Sequence, residues 1–256
     1  MIGQTVDVNA ALSESLNELH LPTVKRTYED AARLAQRDTL TYERYLLDLV
    51  TRECDDRRQK RINRLLRQSR IPTEKALANF NLKRLPPKVA LLTKSLIEGE
   101  VLDRRENVLA FGNPGSGKTH LLCAIGQELI ARGRRMYFTS AALLVQDLLV
   151  AKRDLKLSRF IKKLGSFEGL IIDDLGYVQQ SREEMEVLFT LLAERYERGS
   201  VLISSNLPFS KWDGIFKDPM TTAAAIDRLV HHCVILELNI PSYRVEQAKK
   251  AKEDAS

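Results

Sequence analysis

Two periodicities divide the chain. Over residues 11–70, apolar positions recur at helical spacing in "LNELHLPTVKRTYEDAARLA" and "YERYLLDLVTRECDDRRQKRINRLLRQSR", with almost no glycine. This pattern predicts an all-helical N-terminal domain over residues 1–70. Its last helix should stop at Ile71-Pro72, because proline disfavours helical backbone in the residue before it. Residues 71–106 read as connector and lead-in helices, with irregular chain at the paired Pro86 and Pro87.

From residue 107 the pattern becomes continuous apolar runs alternating with helical stretches. "NVLAFG", "RMYFTS", "GLIIDD", "SVLISSN" and "CVILEL" read as strands. Residues 118–132, 182–198 and 221–232, and one long helix over "AALLVQDLLVAKRDLKLSRFIKKL", fill the gaps. Apolar strands separated by helices predict an α/β fold, a parallel sheet covered by helices on both faces, over residues 107–242. Residues 243–256 form a charged C-terminal tail, its "EQAKKAKEDAS" frayed and solvated.

Composition narrows the class. At 256 residues and 44% apolar, the chain holds one good-sized domain and a smaller one. No apolar run is long enough to span a bilayer, and "MIGQTVDVNA" lacks the features of a signal peptide. Cys54, Cys123 and Cys233 lie far apart without metal-ligand spacing, as expected of reduced thiols in a cytoplasmic protein.

Chemistry enters at "GNPGSGKT", Gly112, Asn113, Pro114, Gly115, Ser116, Gly117, Lys118 and Thr119, followed by His120. It fits G-x-x-x-x-G-K-[ST] and sits between a predicted strand and a predicted helix, the context a phosphate loop requires. Glycines let backbone N–H groups turn toward a phosphate chain, and the helix N-terminus adds positive potential. Lys118 would reach the β- and γ-phosphates of ATP and the Thr119 hydroxyl would ligate Mg²⁺. The alternative is a plain glycine-rich turn.

"LIIDDLG" then makes sense. Two adjacent carboxylates at the end of a buried strand are unfavourable unless a cation or strong donors meet them. Asp173 is placed to hold the Mg²⁺ of the nucleotide, and Asp174 to orient or deprotonate an attacking water. The next strand ends in Ser205 and Asn206, and an amide at that tip can hold the water or sense the γ-phosphate.

With "ENVLAFGNPGSGKTHLLCAIG", "LIIDDLGYV", "ISSNLPFSKW", "DRLVHH" and "SYR", nearly the whole chain resembles the IstB family of ATP-binding transposition helpers, AAA+ relatives of the DnaC and DnaI helicase loaders. The resemblance implies a P-loop AAA+ ATPase core without a C-terminal lid domain. It also implies a homo-oligomer that assembles with ATP on duplex target DNA and recruits a partner transposase, IstA-like, without cutting DNA itself. Arg228 takes the place of the arginine that one subunit lends to its neighbour's γ-phosphate; the alternative is a local pair with Asp227 or Asp218 on the helix surface. Two departures stand out. Asp174 replaces the usual glutamate, and Ile240-Pro241 replaces glycine-glutamate before "SYR", which leaves the role of Arg244 open.

The net charge of +6 is concentrated. Residues 57–70 hold seven basic residues and no acid, and residues 152–163 hold six basic residues and one acid. At 100° per residue, Arg57, Lys60, Arg61, Arg64 and Arg67 share one face, opposite Ile62, Leu65 and Leu66. Lys152, Lys156, Arg159 and Lys163 likewise form a stripe opposite Leu157, Phe160, Ile161 and Leu164. With no interleaved acids, both stripes read as phosphate-contacting, largely sequence-independent DNA surfaces rather than ion-paired helix faces, the alternatives being a solvated basic face or a surface for an acidic partner protein. The competing readings are a helicase loader with the same core, or a small-molecule P-loop kinase, whose lid arginines the sequence lacks.

Overall fold

The structure, a computed structural model, describes residues 7–176, 181–208, 211–212, 219–243 and 245–247. The chain divides into two compact units at Arg64.

The first unit is helical. Helices α1 (Val8–Glu18), α2 (Pro22–Arg37) and α3 (Tyr42–Ser69, continuing past the division) bury Leu16, Val24, Ala31 and Leu49, with Tyr28 and Tyr45 packed against them. Pro22 opens α2 in its first turn, where its missing N–H is harmless, so the stretch around it is two helices rather than one. The first-turn N–H groups of α2, which no carbonyl of the helix serves, are met from α3: Glu53 Oε2 accepts from Thr23 N at 2.8 Å and Val24 N at 3.1 Å. Helix α3 ends at Ser69, whose hydroxyl accepts from Ile71 N, two residues before the bond to Pro72 that the sequence marks as a stop.

The second unit carries α4 (Pro87–Glu98), α5 (Glu100–Asp103), β1 (Asn107–Gly112), α6 (Lys118–Ala131), β2 (Met136–Ser140), α7 (Ala141–Arg153), α8 (Leu157–Gly165), β3 (Gly169–Asp173), α9 (Arg182–Arg195), β4 (Ser200–Ser205), α10 (Pro219–Val230) and β5 (Cys233–Leu238). The five strands form one parallel sheet in the order β2-β3-β4-β1-β5. Alternate strand residues serve the two faces. Leu109, Leu170, Ile172, Val201 and Ile203 pack with α7, α8 and α9, while Ile171 meets α6 at Gly126. The parallel sheet covered on both faces is as expected.

One element differs. The expected long helix after β2 is two, because Leu155 adopts a left-handed conformation (φ 56°) between α7 and α8. Among the described residues, no helix is long and apolar enough to cross a membrane.

Strand order positions the site. Ligands of open parallel sheets collect at the carboxyl ends of the strands. Strand β4 lies between β1, which leads into the glycine-rich loop, and β3, which ends in the acids. The residue just after β4, Asn206, therefore sits between loop and acids.

Candidate functional site

The loop between β1 and α6 has a backbone that only glycine tolerates. Gly112 (φ 151°) and Gly115 (φ 79°) lie in positive-φ regions, and a Cβ would stand 2.4 Å from the Leu238 carbonyl oxygen and 2.1 Å from Ser242 Oγ, respectively. Lys118, 6% exposed, opens α6, and its ammonium folds back to donate to the carbonyls of Gly112 (2.8 Å) and Asn113 (3.0 Å). A polyphosphate is a stronger partner for that charge than two peptide carbonyls. Thr119 and His120 follow, half-buried, and His120 Nε2 lies 3.1 Å from the Ala76 carbonyl.

At the end of β3 the two acids part company. Asp173 is buried and accepts from Ser204 Oγ at 2.6 Å; the same hydroxyl accepts from Asp174 N at 2.9 Å. Asp174 takes a left-handed conformation (φ 58°), which aspartate tolerates better than most residues, and its side chain is exposed toward the loop. One carboxylate is thus fixed behind the site and the other stands at its edge. Ser205 Oγ donates to the Leu175 carbonyl at 2.7 Å, tying the strand ends together again.

Loop, acid and amide line one cavity of about 290 Å³: residues Pro114 to His120 on one side, Asp174 and Asn206 on another. This volume is near the lower end of the roughly 300–1,000 Å³ typical of ligand pockets. Asn206 Oδ1 and Ser116 Oγ are buried without a hydrogen-bond partner. Orphaned buried oxygens are uncommon in native proteins unless a ligand, ion or water serves them. The glycine cradle, the buried ammonium and the Ser116 hydroxyl fit a nucleotide triphosphate, while the Asn206 Oδ1 acceptor fits a water or a cation beside it.

Sequence reasoning missed the remaining walls. Lys75, Asn79, Phe80, Asn81 and Arg84 come from the connector, and Ile240 and Tyr243 from beyond β5. Phe80 meets His120 edge-on with ring centroids 5.1 Å apart. The chain expected to be tail is in part fixed here: Tyr243 N donates to the Gly115 carbonyl at 3.0 Å, and Glu246 pairs with Arg84 at 2.9 Å. Arg244 and residues 248–256 lie outside the described residues. Ser204 was also missed; a hydroxyl at a fully buried strand position beside the acid strand was the available signal.

Arg228 is elsewhere. The carbonyls of Arg228 and Leu229 accept from the Asn107 side chain at 3.5 and 3.1 Å, and Asn107 is the first residue of β1. The glycine loop begins at the other end of that strand, about 17 Å away at ~3.3 Å per residue. The guanidinium lies 5.0 Å from the Phe189 ring centroid and donates to the Ala224 carbonyl. Asp218, one of its conceivable acid partners, is outside the described residues.

The basic stripes need two corrections. First, the start of the α3 stripe is ion-paired by acids just upstream of it, each one turn before its partner: Arg57 pairs with Glu53 (2.8 Å) and Lys60 with Asp56 (2.7 Å). Arg61, Arg64 and Arg67 are exposed on the same helix, with Leu65 buried opposite. Second, Lys152, Lys156, Arg159 and Lys163 do not form one stripe, since the break at Leu155 puts Lys152 on α7 and the others at or in α8. Lys152 pairs with Glu186 and Lys156 with Asp154. The apolar side of α8 is as expected, with Ile161 and Leu164 buried.

Known proteins resemble this chain in sequence and in fold. An insertion-sequence ATP-binding protein of Sinorhizobium fredii is 41% identical over 252 residues, covering 98% of this chain and 84% of the relative. The IS5376 ATP-binding protein of Geobacillus stearothermophilus is 32% identical, covering 94% and 96%. Among solved structures, DnaI (TM-score 0.56, 19% identity, 66% of this chain and 95% of that one) and the DnaC helicase loader (TM-score 0.53, 19% identity, 64% and 97%) share the fold. The family described as IstB-like ATP binding protein matches residues 14–251, and with the glycine-rich loop, Asp174 and the strand-tip amide gathered on one cavity, the chain belongs to that family.

Proposed function

We propose that this protein is an ATPase that assembles on duplex DNA as part of an insertion-sequence transposition system, and that its assembled form recruits a partner transposase. The supporting observation is the division of the site. Lys118, Asp174 and Asn206 line one cavity, while Arg228 stands at the opposite end of the sheet, where on this reading it serves the site of a second copy rather than its own.

In this reading Lys118 and the loop N–H groups hold the β- and γ-phosphates, and Thr119 and Asp173 would hold Mg²⁺. The metal supplies charge neutralisation on the phosphates when bound. Ser204 fixes Asp173 for that task. Asp174 orients the attacking water and accepts its proton, and Asn206 Oδ1, which has no protein partner, accepts a hydrogen bond from the same water. Arg228 of the neighbouring copy offsets the charge developing on the γ-phosphate. Hydrolysis then resets the assembly. The exposed cations of α3 and α8 contact duplex phosphates. The helicase-loader reading draws on fold likeness alone, whereas the insertion-sequence relatives match along nearly the whole chain.

Sedimentation with duplex or single-stranded DNA, and with ATP, ADP or no nucleotide, tests the proposal. A large ATP-dependent complex on duplex, lost in Lys118→Ala, is expected. Assembly confined to single strands, or none in any condition, would overturn it.

A further inference from the structure

We propose that Arg84 is a clasp that holds the chain following β5 against the nucleotide cavity, so that nucleotide retention depends on a contact outside the phosphate loop. The proposal rests on the reading of the cavity as an ATP site.

Arg84 reaches across to a segment roughly 160 residues later in the chain by three different contacts. Its Nη2 donates to the Pro241 carbonyl at 3.1 Å and to Glu246 Oε2 at 2.9 Å. Its guanidinium carbon lies 5.0 Å from the Tyr243 ring centroid, within cation–π range. The planar, five-donor guanidinium suits this combination, whereas an ammonium offers only a point charge.

Both ends of the clasp are anchored. Arg84 closes the short turn Leu82–Arg84, whose start is capped by Asn81 Oδ1 accepting from Lys83 N at 3.1 Å. Leu85 is buried directly after it, and Pro86-Pro87 restricts the backbone that follows. At the far end Tyr243 N donates to the Gly115 carbonyl, and Ser242 fills the space where Gly115 lacks a Cβ. The far segment therefore rests on the phosphate loop itself, and Arg84 joins it to the opposite wall. Phe80 and Tyr243 lie on the two walls so joined, and their rings offer apolar faces suited to a purine.

Without Arg84, the described contacts leave the far segment held to the loop chiefly by the Tyr243–Gly115 hydrogen bond, so the cavity should open more often. A base packed between the Phe80 and Tyr243 rings strengthens the clasp when nucleotide is bound, so its loss acts on release more than on association.

The test is stopped-flow release of N-methylanthraniloyl-labelled ATP and ADP from the full-length chain. Arg84→Ala is expected to speed release about 10–100-fold, the scale of losing charge-assisted hydrogen bonds, with association within a few-fold of wild type. Arg84→Lys should fall between, and Glu246→Gln should give a smaller increase. At steady state Arg84→Ala should raise KM for ATP while kcat at saturation is retained, a split that general structural damage would not produce. If Arg84→Ala does not fold, the surface change Glu246→Gln carries the test. Wild-type release rates in both variants would overturn the clasp and leave the site reading intact. A wild-type chain that binds neither nucleotide would overturn both.

Discussion

Ser204 donates its hydroxyl to Asp173 at 2.6 Å, and both residues are buried at the adjoining ends of β3 and β4. The same oxygen receives the N–H of Asp174. One small side chain thus holds the metal-binding candidate in place and sets the turn that presents the second acid. Ser204→Ala leaves a buried carboxylate oxygen and an N–H without this partner, a loss of about 1–3 kcal/mol. ATP turnover should fall and the Mg²⁺ concentration for half-maximal turnover should rise, as a magnesium titration of the variant would reveal. An unchanged magnesium requirement would separate Ser204 from metal binding.

Asn206 Oδ1, buried and unpartnered, is assigned to the hydrolytic step rather than to binding. Asn206→Ala should bind labelled ATP within a few-fold of wild type while turnover drops by about 10²-fold, the scale of losing one oriented polar group at a reacting centre. Equal losses of binding and turnover would contradict that assignment.

Glu53 gives the first unit an acid-sensitive element. Burial alone would raise its pKa, but the hydrogen bonds from Arg57 and from the N–H groups of Val24 and Thr23 prevail and hold it below the usual glutamate value. A carboxylate depressed in the folded state stabilises above its unfolded pKa, near 4.3, and that stabilisation disappears as pH falls through the lower folded value. Glu53→Gln should therefore melt a few degrees below wild type at pH 7, the scale of a lost helix cap at about 2–4 °C per kcal/mol. The two curves should converge at strongly acidic pH. A constant gap across pH would show that the carboxylate charge is irrelevant.

The cations of α3 should not be equivalent. Among the described residues, Arg64 and Arg67 carry no ion pair, whereas Arg57 and Lys60 do. Replacing Arg64 and Arg67 with alanine should weaken duplex binding and flatten the logarithmic salt dependence by about 0.9 for each phosphate no longer neutralised. Arg57→Ala should chiefly lower the melting temperature, since Arg57 also donates to the His20 carbonyl and supports the Glu53 cap. Fluorescence anisotropy across a salt series distinguishes the two effects.

The sheet was legible because each strand is a continuous apolar run bounded by turn residues, and the phosphate loop because glycine placement is dictated by backbone geometry. The break after α7 was not, since Arg153-Asp154-Leu155-Lys156 contains neither glycine nor proline and the turn is carried by a left-handed leucine. The α3 ion pairs escaped because their acids, Glu53 and Asp56, lie outside the basic run and reach into it from one helical turn before their partners. Arg84 and Tyr243 escaped for a different reason: residues so far apart in the chain meet only once the sheet has formed. Local pattern specifies the elements, and the cavity walls are a product of how those elements close.

The sharing of one ATP site between two copies is tested most directly by mixing. Lys118→Ala and Arg228→Ala proteins should each be nearly inactive alone on duplex DNA. Combined, they should regain ATP turnover, because an intact phosphate loop on one copy can meet an intact Arg228 on the other. Full activity of Arg228→Ala alone, or no recovery on mixing proteins shown to assemble together, would contradict the account.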